Sequence, residues 1–336
     1  MHSDSRVHLQ PDVPAIEWHD NHLRILDQRC LPESMVWVEC HDVAEATAAI
    51  AEGVVQGPVT AGLVAAYGIA LAARRIGQAD DWAAALEADF ASLAGARPAS
   101  AHLRWVLGVL GDRLRRMRDP ALDVPELLAQ TAVDLHASDV ESSRASGRLG
   151  MQVIRRHDRE QQYLLTTGGV GALGVIRAVQ KAGLVGQLYL CAGTDTDATR
   201  LAFWELEQAG LPVTQHTASA AGQLMKSDNL QWVVVDAQRI AANGDVIADL
   251  GTYSLAILAM HHGLRFMEVA SSSAFDLTLE NADDLDPEDA LLKSEGQLAL
   301  DVTPAELIDV IVTERGVIER PDQDRIAALL SHQRLH

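Results

Sequence analysis

The sequence predicts an α/β protein: a helical N-terminal domain that opens on a small β-sheet, followed by a C-terminal domain built on a doubly wound parallel sheet. Three observations carry this. The chain has 336 residues, beyond the roughly 250–300 at which a single hydrophobic core stops growing, so two domains are expected. Hydrophobic residues make up 48% but aromatic ones only 4%, so Ala, Val, Leu and Ile must fill the interior by close packing. Near Arg156 the helical period gives way to short apolar runs alternating with helical segments. The domains are set at 1–135 and 136–336, with a helical stretch over 125–156 joining them.

Ile16-Glu17-Trp18 and residues 22–26 flank the turn-forming pair Asp20-Asn21, which predicts a β-hairpin, and residues 36–39 supply a third strand. From Val43 to about Arg156, apolar residues recur at three and four, as in Leu103, Val106, Leu107, Leu110 and Leu114, with arginines opposite. The Ala- and Gly-rich stretch 58–73 falls short of the roughly 20 residues a bilayer requires and reads as a buried core helix. Beyond Arg156 the spacing predicts strands over 162–166, 187–191, 213–217, 232–236 and 266–270. Helices over 171–182, 198–209, 220–226 and 250–262 fall between them. Ligands of such sheets bind beyond the carboxyl ends of the strands, which directs attention to the loops near Thr166, Cys191, Thr217 and Asp236. Residues 280–289, acidic and turn-rich, read as a solvated loop.

With 27 basic and 47 acidic residues the net charge is −20, which repels phosphate backbones and anionic lipid, so neither nucleic acid nor a membrane is an expected partner. Cys30, Cys40 and Cys191 are odd in number and widely spaced, which argues for a reducing compartment. Residues 1–14 lack the apolar run of a signal peptide, and a cytoplasmic protein is expected.

Several segments together carry a resemblance. They include Leu26-Asp27-Gln28-Arg29, Ala66-Tyr67-Gly68-Ile69-Ala70-Leu71-Ala72, Ala96-Arg97-Pro98 and Leu173-Gly174-Val175-Ile176-Arg177. Asp236-Ala237-Gln238-Arg239-Ile240-Ala241-Ala242-Asn243-Gly244-Asp245, Gly251-Thr252-Tyr253, Phe275-Asp276-Leu277-Thr278 and Thr303-Pro304-Ala305-Glu306 complete the set. In these the chain resembles the family of methylthioribose-1-phosphate isomerases and the regulatory subunits of eukaryotic initiation factor two B. The resemblance implies a Rossmann-like C-terminal domain, a helical N-terminal domain with a small sheet, and a homodimer. In the isomerase branch it implies a loop cysteine and an aspartate that move a proton between C1 and C2 of a sugar phosphate.

Neither group stands at its place. The loop that would hold the cysteine reads Thr166-Thr167-Gly168-Gly169-Val170-Gly171 and is several residues shorter, and the aspartate position is Gln238. Phosphate-holding positions have changed too, to Gln56, to Gly193 and to Ala248-Asp249, while Arg97 is retained. The expectation is a non-isomerase paralogue with a binding or regulatory role, turning over methylthioribose 1-phosphate barely above background. Two alternatives stand beside it: an enzyme acting on another sugar phosphate or a nucleotide through a relocated site, and the aldose–ketose isomerase itself.

Cys191 and Asp236 end predicted strands and are the candidate relocated catalytic pair. The candidate ligand-binding residues are Arg97, Gly169, Gly171, Gly174, Gln238 and Asn243. Gly169-x-Gly171-x-x-Gly174 also opens a helix after a strand, with Asp195 about where a ribose-binding acid would sit, so a dinucleotide is weighed there against simple closure of a shortened loop. No cofactor and no metal are expected: His261 and His262 diverge by about 100° on a helix and cannot share an ion. His102 lies close in sequence to Arg97 and reads as an ordinary core or surface residue.

Overall fold

Alternating apolar residues at the start of the chain form a three-stranded antiparallel sheet, β1 (Ile16–His19), β2 (His22–Leu26) and β3 (Trp37–Cys40), with Leu23 and Ile25 fully buried. The computed structural model describes residues 15–19, 22–98, 100–117, 122–156, 160–192, 196–227, 229–284 and 300–331. The expected turn at Asp20-Asn21 and most of the expected acidic loop over 280–289 lie outside them. The chain divides into two units, Met1–Val140 and Glu141–His336.

In the first unit the sheet is followed by α1 (Val43–Ala51), α2 (Pro58–Ile76), α3 (Trp82–Ala85), α4 (Glu87–Ala96) and α5 (Ala101–Arg116). Helix α2 is apolar because it is the centre of the core. Ala61, Ala65, Ala66, Ala70, Ala72 and Ala73 are fully buried, and their small side chains let neighbouring helices approach closely. Leu103, Val106, Leu107, Leu110 and Leu114 form the apolar stripe of α5 in the same core. Helix α6 (Val124–Arg155) follows, and the division between the units falls inside it.

The second unit alternates strands and helices: β4 (Gln162–Thr166), α7 (Val170–Lys181), β5 (Val185–Ala192), α8 (Thr196–Gln208), β6 (Val213–Thr217), α9 (Ala221–Ser227) and β7 (Trp232–Asp236). Then come β8 (Arg239–Ala241), β9 (Val246–Asp249), α10 (Thr252–His262), β10 (Arg265–Val269), β11 (Phe275–Asp276) and β12 (Leu300–Thr303). Strands β13 (Val310–Thr313) and β14 (Gly316–Glu319) and helix α11 (Gln323–Ser331) complete it.

Seven strands form one sheet in the order β14-β13-β10-β7-β4-β5-β6, all parallel except β14, which pairs antiparallel with β13 at the edge. The chain runs outward from β4 through β5 to β6, then returns and runs the other way from β7, so its direction of winding reverses between β4 and β7. Period-2 geometry sorts the side chains. Leu164, Leu188, Leu190, Trp232, Val234, Met267 and Val269 pack with α7 and α8 on one face. Leu165, Cys191, Val233, Val235, Phe266 and Ile311 pack with α9 and α10 on the other.

Four short strands form a second sheet, β11-β8-β9-β12, which the sequence did not predict. With three residues in β8 and two in β11, no period can be read from them. Its tight turn is Asn243-Gly244-Asp245: Gly244 has φ +95°, and the Asp245 N–H donates to Asn243 Oδ1 at 2.9 Å.

Candidate functional site

Strand β4, with Leu164 and Leu165 fully buried, stops at Thr166, whose hydroxyl oxygen accepts the Gly168 N–H at 3.1 Å. Gly168 and Gly169 then take φ of +98° and +96°, a region that side chains with a Cβ rarely adopt. This sharp corner starts α7 directly above the end of β7. There the Gly171 N–H donates to Asp236 Oδ2 at 2.9 Å and the Ala172 N–H donates to Oδ1. A Cβ on Gly169 would lie 2.5 Å from Asp236 Oδ2, and one on Gly171 would lie 2.9 Å from Val269 Cγ1.

The glycines therefore make room for the chain's own carboxylate. Free N–H groups and the dipole at a helix N-terminus favour an anion, and here Asp236 supplies it. The N–H groups that a dinucleotide pyrophosphate would need are taken by Asp236, which favours loop closure, the preferred of the two readings weighed for these glycines. Asp195, its expected ribose partner, lies outside the described residues. Gly174 points the other way. A Cβ on Gly147 of α6 would meet the Gly174 carbonyl oxygen at 2.9 Å, so this glycine permits helix packing and is not part of the rim.

Burial pushes the Asp236 carboxyl up to about 7, against the two N–H donors that lower it, and the charge of Asp249 raises it further. One strand away, Glu268 of β10 is 0% exposed, and neither of its carboxyl oxygens has a hydrogen-bond partner among the described residues. Burial holds Glu268 well above the carboxylate range, and Asp236, Asp301 and Asp249 add to the rise. Asp301 accepts the Gly251 N–H at 2.7 Å and the Tyr253 N–H at 3.2 Å, closing the amino end of α10; burial raises its pKa against these bonds. Gln238 Nε2 donates to Asp249 Oδ1 at 3.0 Å, so the amide that stands at the family's aspartate position is tied to a neighbouring carboxylate. Among the described residues these acids do not converge as metal ligands would. A partly exposed carboxyl that titrates near neutrality is suited to general-base work.

The other expected site residues are dispersed. Cys191 is fully buried on the face of α9 and α10, while Asp236 meets α7 on the opposite face with β4 between their strands, so the sheet does not bring them together. Burial pushes the Cys191 thiol up to about 11, which keeps it protonated and inert near neutral pH. Arg97, in the first unit, donates to the carbonyls of Gly57 at 3.1 Å and Val55 at 3.4 Å, and so braces the loop around Gln56. Asn243 shapes the β8–β9 turn: its Nδ2 donates to Asp245 Oδ2 at 2.8 Å. His102 is buried in the first unit and its pKa is pushed down to about 4, leaving the ring neutral. His261 and His262 end α10, which Gly263 terminates at φ +71°. Glu268 was not singled out from the sequence. Its signal was there: a single acid between Met267 and Val269 in a strand otherwise suited to a sheet interior.

Comparison with known proteins agrees with this architecture. The chain is 47% identical to the methylthioribose-1-phosphate isomerase of Pseudomonas aeruginosa (strain UCBPP-PA14), with 96% of this chain and 97% of that one covered. It is 46% identical to the enzyme of the same name from Pseudomonas entomophila, at the same coverage. Among solved structures it is similar to the 5-methylthioribose 1-phosphate isomerase of Pyrococcus horikoshii OT3, with a TM-score of 0.79 and 27% identity over 94% of this chain and 95% of that one. It is also similar to the delta subunit of translation initiation factor eIF-2B from A. fulgidus, with a TM-score of 0.73 and 29% identity over 95% of this chain and 99% of that one.

Identity of this extent to isomerases corrects the expectation of a non-isomerase paralogue with a binding or regulatory role. That expectation equated the loss of two named side chains with the loss of proton-transfer groups. The sheet edge retains an acid of suitable pKa, Asp236, two residues before Gln238. The model of the Initiation factor 2 subunit family matches residues 54–320, most of both units, and the chain belongs to that family.

Proposed function

We propose that the protein is an aldose–ketose isomerase that converts methylthioribose 1-phosphate into the corresponding ketose phosphate. The observation that carries this is the 47% identity to an enzyme of that name across 96% of the chain. We read the seven-stranded sheet as Rossmann-like and place the reaction at its carboxyl edge, where the winding reverses between β4 and β7.

C1 of a 1-phosphorylated aldose ring bears both the ring oxygen and the phosphate ester, so it has no free carbonyl. Isomerisation therefore begins when the ring C1–O bond breaks and that oxygen takes a proton. C2 gives up its proton to a base and the C1=C2 bond forms. The C2 hydroxyl then loses its proton as C1 gains one, which leaves a ketone at C2 and the phosphate on C1. Asp236 is the residue suited to take the C2 proton and return it to C1, because its pKa of about 7 lets it hold either state at neutral pH. In a steady-state assay of ketose formation, Asp236→Asn should lower kcat/KM by about 10²–10⁴-fold. Wild-type turnover at background would sink the proposal.

The working form is a homodimer in the cytoplasm. Tyr253, Ile257 and Met260 lie at spacings of four and three on the outer face of α10 and are 40%, 37% and 61% exposed, an apolar stripe suited to a second copy. Cys30, Cys40 and Cys191 are all free thiols, as in a reducing compartment.

A further inference from the structure

The sheet of the first unit carries a row of imidazoles on the face turned away from its core. Side chains alternate across a strand, so Leu23, Ile25 and Cys40 enter the core while Glu17, His19, His22, Arg24 and Glu39 point the other way. The register pairs Glu17 with Arg24, Arg24 with Glu39, and His19 with His22. Leu23 is paired with Cys40, so the next residue, His41, falls opposite His22. Two rows therefore cross the three strands side by side: Glu17, Arg24 and Glu39 in one, His19, His22 and His41 in the other. Spacing along the chain does not reveal the second row, because only the pairing of β2 with β3 brings His41 level with the other two.

The ring centres of His19 and His22 are 5.5 Å apart, and those of His22 and His41 are 5.4 Å apart. Two imidazoles that share a tetrahedral ion, each with its nitrogen about 2.0–2.1 Å from the metal, have ring centres about 5 Å apart, close to both spacings. Each outer ring also faces a carboxylate: His19 Nε2 is 3.2 Å from Glu17 Oε2, and His41 Nε2 is 3.6 Å from Glu39 Oε2. A carboxylate that accepts a proton-bearing ring nitrogen leaves the other nitrogen, Nδ1, with its lone pair, which is how metal-binding histidines are oriented. Among the described residues no three ligand groups already converge on one point, so the rings must turn to close on an ion. The side chains of His19 and His41 are 50% and 62% exposed, and such rings change rotamer within nanoseconds.

We propose that His22, with His19 and His41 on either side, binds a divalent transition-metal ion of the zinc class, and that Glu17 and Glu39 orient the outer rings. Imidazole nitrogen suits zinc, nickel and copper, whereas magnesium and calcium take oxygen ligands. The local charge favours a cation, since Glu17 and Glu39 flank the single Arg24 on a chain of net charge −20. An ion here bridges all three strands at one end of the sheet and so holds them together. Every residue of the site lies in the first unit, and the site stands whether or not the isomerase reading does.

Calorimetric titration of Zn²⁺ into the untagged protein tests this. Wild type should take up the ion, and excess Mg²⁺ should not displace it. His22→Gln, which removes the ligand shared by both neighbours, should weaken binding by more than about 100-fold, and Glu17→Gln, which removes an orienting partner, by about 10-fold. A variant in which His261→Gln and His262→Gln are combined should bind as wild type does. No uptake by wild type, an affinity unchanged in His22→Gln, or an equal loss in the His261 and His262 control overturns the site. Should His22→Gln fail to fold, NMR of the wild-type imidazoles carries the test: the ring signals of His19, His22 and His41 should shift together as Zn²⁺ is added, and unmoved signals overturn the site.

Discussion

The Gly171 N–H donates to Asp236 Oδ2 at 2.9 Å, so the last residue of a central strand caps the helix that follows the neighbouring strand. This bond joins the two sides of the point where the sheet reverses its winding, and it explains why the preceding loop is made of glycines.

Gly169→Ala should therefore destabilise the protein by about 1–3 kcal/mol, because the new Cβ meets both a positive φ and the Asp236 carboxylate. Gly183→Ala provides the control: its φ is +71° with nothing within 4 Å of the added atom, so only the backbone term, about 1 kcal/mol, remains. Urea unfolding of both variants checks the difference, and equal losses would show that Asp236 does not crowd the loop.

The rate of isomerisation should rise with pH and level off above about 7, as the base loses its proton. Stability should move in the opposite sense. Asp236 binds its proton more tightly folded than unfolded, so stability falls as pH climbs from the ordinary value of 3.8 towards about 7 and is level beyond. Asp236→Asn should abolish the rise in rate and lessen the fall in stability. A pH–rate curve and thermal melts over the same range check both signs.

Cys191→Ser should leave kcat/KM close to wild type while costing about 1–3 kcal/mol of stability, because a hydroxyl replaces a thiol inside the apolar layer beneath α9 and α10. Loss of turnover in a folded Cys191→Ser protein would return the thiol to the reaction.

Light scattering should give twice the 36.2 kDa chain mass, and Met260→Lys should halve it by placing a charge on the exposed stripe of α10. A wild-type monomer at micromolar concentration would show that the stripe is not an interface.

Much of the second unit was legible because buried parallel strands announce themselves: Trp232-Val233-Val234-Val235 is an apolar run with Asp236 as its stop. The small sheet of β8, β9, β11 and β12 was not, since such short strands exist by pairing with one another. At the site, Asp236 could be named from its place at a strand end. Its supposed partner Cys191 could not be tested in that way, because alternation tells which residues of one strand share a face but not how faces match between strands. Glu268 was masked by its neighbours, since a strand pattern says that a residue is buried but not what burial does to its proton.

Helix α2 has a consequence for synthesis. Its stretch Val59–Ile76 is apolar enough to pass for a membrane span, and it is safe only because the first unit covers it, with the leucine stripe of α5 closing one side. A ribosome delivers α2 well before Leu114. For the time it takes to translate those residues the nascent chain carries an apolar helix whose covering stripe has not yet been made, and a chain cut short before α5 would leave that side of the helix bare.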